Sequence, residues 1–111
     1  MTDAELLRVA RGFRRGILSK RSSNGMCCAI CLPLAALLRF YGVRCRLAEG
    51  DAGPCNHVWI RLADGRVLDP TYDQFGLRTA VYLGMPRDEH SRERKGRPSI
   101  AAFRRRYRVT V

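Results

Sequence analysis

The stretch from His57 to Pro70 constrains this chain more than any other. His57-Val58-Trp59-Ile60-Arg61-Leu62 alternates as a strand, Ala63-Asp64-Gly65 holds a turn signal, and Arg66 to Asp69 returns as a second strand stopped by Pro70. An isolated hairpin is marginal in water, so the rest of the chain must cover it. Register also matters here, because a one-residue slip turns every side chain to the other face. If Asp64-Gly65 alone forms a two-residue loop, Ile60 opposes Asp69, which then faces away from His57. If Ala63-Asp64-Gly65 form a three-residue loop with Gly65 left-handed, Leu62 opposes Arg66 and Trp59 opposes Asp69, and Asp69 shares the face of His57.

The material to cover the hairpin lies upstream. Thr2 and Glu5 form a capping-box pattern, and Leu6, Val9, Ala10, Phe13 and Ile17 recur at helical spacing, which predicts a helix over about 3–19. Lys20-Arg21-Ser22-Ser23-Asn24-Gly25 reads as a loop, and a second helix is expected from about Met26 to Tyr41, stopped by Gly42, with Pro33 inside it predicting a kink or an irregular first turn. Its apolar stripe is Cys27, Ile30, Cys31, Leu34, Leu38 and Tyr41, while Cys28 falls towards Arg39. Val43, Cys45 and Leu47 alternate as a strand, Gly50 to Asn56 reads as a loop bordering a cleft, and Thr79 to Leu83 as a fourth strand. Pro86 to Pro98 is polar and charged, an expected exposed loop containing His90. The tail is read as a short helix through Arg106 and a terminal strand, Tyr107 to Val111. The expected fold is therefore α+β, one domain over 1–111, with a Cys-bearing helix on a small antiparallel sheet.

Charge and cysteine usage narrow the setting. The net charge of +11 sits on the flanks: residues 1–22 carry six basic and two acidic side chains, residues 86–111 nine and three, and the middle six and five. The longest apolar stretch, Met26 to Leu38, has 13 residues, short of the roughly 20 that span a bilayer. No apolar signal region opens the chain, and five cysteines, two of them adjacent, do not form a paired framework. Reduced thiols and a cytoplasmic location are expected.

The chemistry is concentrated at three residues. Cys27 falls in the first turn of a helix after a Ser-Ser-Asn-Gly loop, where free N–H groups stabilise a thiolate and can hold an oxyanion. His57 is the histidine of the structured part of the chain and is the candidate base; Asp69 is the candidate group that orients it. Cys28 competes with Cys27 as nucleophile, Asn24 and Gln74 are weak candidates for a second oxyanion donor, and Cys55 is a candidate redox partner of Cys27.

The segments GMCCAICLPLAALLRFYGV and NHVWIRLADGRVLDPT resemble the core of transglutaminase-like proteins of the papain-like superfamily, with a helix-start Cys, a His-x-Trp strand and an Asp-Pro-Thr strand end. The ending DPTYDQFG is similar to that of small bacterial and phage-borne members. The resemblance covers about residues 24–76 and implies Cys27 as nucleophile, His57 as base and Asp69 as orienting acid. It implies a thiol hydrolase or acyltransferase acting on an amide or peptide bond, without a cofactor, on a peptide or protein whose acidic character would suit the basic flanks.

Two other classes compete. A zinc site drawn from Cys27, Cys31, Cys55 and His57 has soft ligands, but its spacing matches no familiar zinc module. An Arg-rich binding protein for nucleic acid or an acidic partner would use Phe103-Arg104-Arg105-Arg106-Tyr107, although no recognised nucleic-acid module accompanies that run.

Overall fold

The computed structural model describes residues 1–52, 55–76, 79–94 and 96–107, with the side chains of residues 52, 55 and 75 outside the description. Helix α1 runs Asp3–Leu18 and α2 runs Cys27–Phe40. Strands β1 (Cys45–Ala52), β2 (Cys55–Leu62), β3 (Val67–Asp69) and β4 (Tyr82–Gly84) form an antiparallel sheet in sequential order, and α3 (Pro98–Tyr107) follows. The class is α+β.

Local signals explain most boundaries. At the start of α1 the Glu5 N–H donates to Thr2 Oγ1 at 3.2 Å and the Thr2 N–H to Glu5 Oε2 at 3.4 Å, a reciprocal cap. The helix α2 continues through Pro33, whose ring lies on the exposed side. Of the expected α2 stripe, Cys27, Ile30, Cys31, Leu34 and Leu38 are buried, whereas Tyr41 is exposed. Cys28, expected on the side of Arg39, is buried as well.

The decisive turn is the three-residue one. Ile60 pairs with Leu68 and Arg61 with Val67, the Leu62 N–H donates to the Arg66 carbonyl at 2.9 Å, and Gly65 takes φ +92°. That register carries Asp69 opposite Trp59 and onto the face of His57.

One sheet face, with Leu47, Val58, Ile60, Leu62 and Leu68, packs under α2 in the main apolar core. On the other face Trp59 meets Ala48 and Val67 in a second, smaller cluster. Two expectations fail at this face. Gly50 to Asn56 is not a loop: β1 continues to Ala52 and β2 begins at Cys55, with Gly50 opposite His57. The segment Pro86 to Pro98 is not wholly exposed either, because a 3-10 turn at Asp88–His90 folds back and buries His90. The chain then runs along β1, with the Arg94 N–H on the Glu49 carbonyl at 2.8 Å and a bridge from Glu93 to Gly50. Gly50 permits this approach, since a Cβ there would lie 2.4 Å from the Arg92 carbonyl oxygen. Strand β4 is shorter than expected, and residues 108–111, where a terminal strand was expected, lie outside the described residues.

Candidate active site

The site forms where β3 ends. The carbonyl of Glu49 is turned outward to Arg94, so the main chain of its partner Val58 turns away from β1, towards the β3 side. There β3 has already stopped at Asp69, before Pro70, which has no N–H to offer. The start of α2 occupies the vacated edge. Cys31 Sγ donates to the Val58 carbonyl at 3.5 Å, and the Val58 N–H donates to Cys27.

Cys27 is the first residue of α2, whose N-cap Met26 makes no side-chain cap and whose first turn holds no acidic residue. The positive end of the helix thus lies at Cys27. Hydrogen bonding from the Cys28 thiol is the largest influence lowering the Cys27 pKa; burial opposes it, and the hydrogen bond and charge of His57 add to the lowering, from 9.0 to about 5. Cys28 shifts the opposite way. Its proton is held by the bond to Cys27, and burial pushes it up further. The bond between the two adjacent thiols thus lowers Cys27 and raises Cys28. Burial likewise raises Cys31 and Cys45, so neither is an activated thiol.

His57 is fully buried. Burial disfavours its charge, but hydrogen bonds to Asp69 and Cys27, and their charges, outweigh it and raise its pKa from 6.5 to about 9. Nε2 lies 2.5 Å from Asp69 Oδ2, and the Gln74 side-chain amide meets Nδ1. Burial would raise the Asp69 carboxyl, yet the bonds from His57 and His90 hold it below 3.8.

His90 is the residue that sequence reasoning missed. Its Nδ1 accepts the Arg87 N–H at 3.1 Å, which leaves the ring proton on Nε2, 2.8 Å from Asp69 Oδ2. Asp69 thus receives two imidazoles on one oxygen, while Oδ1 accepts the Thr71 N–H at 3.2 Å. The ring is enclosed by Trp59, Tyr72 and Tyr82, with centroids 5.2, 5.7 and 5.9 Å away.

No family model, curated protein or solved structure matches this chain.

The three residues singled out in the sequence come together: Cys27 on the helix start, His57 on β2 and Asp69 at the end of β3. The DPTYDQFG segment is spent on this arrangement. Asp73 accepts both terminal nitrogens of Arg14, at 2.8 and 2.6 Å, and the Ser23 hydroxyl at 2.7 Å, tying α1 and the loop before Cys27 to the turn that carries Gln74. Gln74 is engaged with His57, and Asn24 is exposed with its N–H on the Ser22 hydroxyl. The Cys55 side chain, and with it the suggested link to Cys27, lies outside the described residues.

Among the described residues, a group with metal-ligand atoms close together is His57, Asp69 and His90, within 4.8 Å; the cysteine set considered from sequence includes Cys55, whose side chain lies outside the described residues. In that group the proton of His90 Nε2 points at Asp69, so hydrogen bonding uses the atoms that a metal would need. No helix among the described residues is long and apolar enough to cross a membrane.

A cleft of about 750 Å³ opens in front of Cys27. Its far wall is α3, including Phe103, Arg106 and Tyr107. That wall is anchored by Glu49, a fully buried carboxylate that accepts the Ser99 N–H at 2.8 Å and the Ile100 N–H at 3.0 Å at the start of α3.

Proposed function

We propose that this chain is a cysteine hydrolase or acyltransferase of the transglutaminase-like, papain-like kind, acting on an amide or peptide bond in a reducing compartment such as the cytoplasm. One observation carries the reading: the thiol held lowest sits at an uncapped helix start, bonded to a histidine that is itself bonded to a buried carboxylate. The Cys27 thiolate attacks the acyl carbon, and the N–H groups of the first turn of α2 hold the oxyanion. The His57 imidazolium then gives its proton to the departing amine, leaving a thioester on Cys27. Water or an amine, deprotonated by His57, resolves it. Asp69 fixes the imidazole, and His90 is a positioning residue that fixes Asp69.

The test is site-resolved labelling with iodoacetamide at pH 6, together with the release of nitrophenolate from p-nitrophenyl acetate. Cys27 is expected to label fastest and to carry the acetyl group after a burst of one equivalent. In His57→Ala both rates are expected to fall about tenfold or more. Equal labelling of all five cysteines, or acetylation indifferent to His57, would sink the reading.

A further inference from the structure

The cleft in front of Cys27 has a chemical bias that the triad does not require. Arg21 and Arg106 both line it, Phe103 and Tyr107 add aromatic surface, and no aspartate or glutamate is among its lining residues. Arg14, Arg46, Arg66 and Arg94, away from this cleft, each pair with a carboxylate.

The two cleft arginines differ from those. Arg21 is braced from behind, its Nε and Nη2 donating to the Leu18 and Ile17 carbonyls at 3.3 and 2.6 Å, which leaves Nη1 out of these bonds. Arg106 lies over the Tyr107 ring at 5.4 Å and takes part in none of the ion pairs among the described residues. A guanidinium held against an aromatic face keeps its edge free for a planar anion. Behind the cleft the Cys27 thiolate, the His57 imidazolium and the Asp69 carboxylate together carry one negative charge, which the two lining arginines exceed.

On the reading that Cys27 is the nucleophile, we infer that this cleft selects an acyl donor bearing a carboxylate close to the scissile bond. The carboxylate comes either from an acidic side chain or from a chain terminus. Aromatic surface beside the two guanidinium groups takes the apolar part of that residue.

Three small electrophiles separate the possibilities: N-iodoacetyl glutamine amide is neutral, N-iodoacetyl glutamate α-amide carries a side-chain carboxylate, and N-iodoacetyl glutamine carries a terminal one. Each alkylates in the same way, the Cys27 sulfur forming a bond to carbon as iodide leaves. The rate at Cys27 is measured by mass spectrometry relative to the rate of each probe with a free small thiol. An acidic probe is expected to gain about fivefold over the neutral one at low salt, and to lose most of that gain at about 0.5 M salt. Arg106→Gln lowers the acid-to-neutral ratio about threefold, and Arg106→Glu brings it to one or below. Arg106 is exposed, so neither variant threatens the core. The acidic probe that gains identifies the source of the carboxylate. Rapid labelling of Cys27 with equal rates for all three probes, or a ratio unmoved in Arg106→Glu, overturns the inference and leaves the thiol chemistry standing. Slow labelling of Cys27 by every probe removes both.

Discussion

The two faces of the central sheet are held by different physics. Under α2, Leu47, Val58, Ile60, Leu62 and Leu68 are buried among apolar neighbours, and each such side chain contributes roughly 1.5–3 kcal/mol without regard to direction. On the other face His57, Asp69 and His90 are just as buried but are held by directed bonds, two of which converge on one carboxylate oxygen. The first face tolerates a change of shape in proportion to the volume lost. In the second, removing one partner leaves another polar group buried and unsatisfied. Stability can therefore be taken from one face without touching the chemistry, but not from the other.

The strongest way to sharpen this contrast is Ile60→Ala. It is expected to cost about 2–5 kcal/mol in chemical denaturation, while labelling of Cys27 in the folded fraction at pH 6 changes by less than about twofold. A tenfold loss of labelling would show that the faces are not separable.

His90→Ala is expected to cost less stability, about 1–3 kcal/mol, but to slow acetylation of Cys27 about tenfold. His90→Gln, which offers an amide donor, should restore the rate more than the stability. Equal loss in both variants would reduce His90 to a structural role.

The smallest effect is in pH. The stabilisation from His57 is complete below 6.5 and lost as pH rises through about 9. That from the Cys27 thiolate is complete above 9.0 and lost as pH falls through about 5. Between 6.5 and 9 the two changes oppose each other, so the pair adds no slope. From 6.5 down to about 5 only the thiolate's loss remains, and stability falls by about 1 kcal/mol. Denaturation of the wild type against Cys27→Ala across this range checks the sign; a steady slope through pH 8 would contradict it.

How far the sequence carried this picture follows the same division. The apolar face was legible because α2 and β2 repeat at 3.6 and 2 residues. The register of Asp69 was legible as a choice between two turns, with Gly65 as the residue able to take the longer one. His90 was not legible, because a histidine in a charged run looks solvated until a second backbone brings it back. A weak signal did exist in Gly50, a glycine in what proved to be the middle of a strand, where another chain segment approaches closely. The division of labour between Cys27 and Cys28 was also hidden, since it depends on which thiol reaches His57 and Val58.

Glu49 carries a consequence of a different kind. It joins α3 to the sheet through main-chain groups alone, by accepting the N–H groups of Ser99 and Ile100. Main-chain groups carry no side-chain identity, so exposed positions of α3 such as Arg106 and Tyr107 are free to vary while the helix stays docked, whereas Ser99 accepts the Asn56 side-chain amide and Phe103 packs on the core. A chain built this way can change what it recognises on one helix and keep its reaction centre on another, which makes α3 the place to graft a new preference.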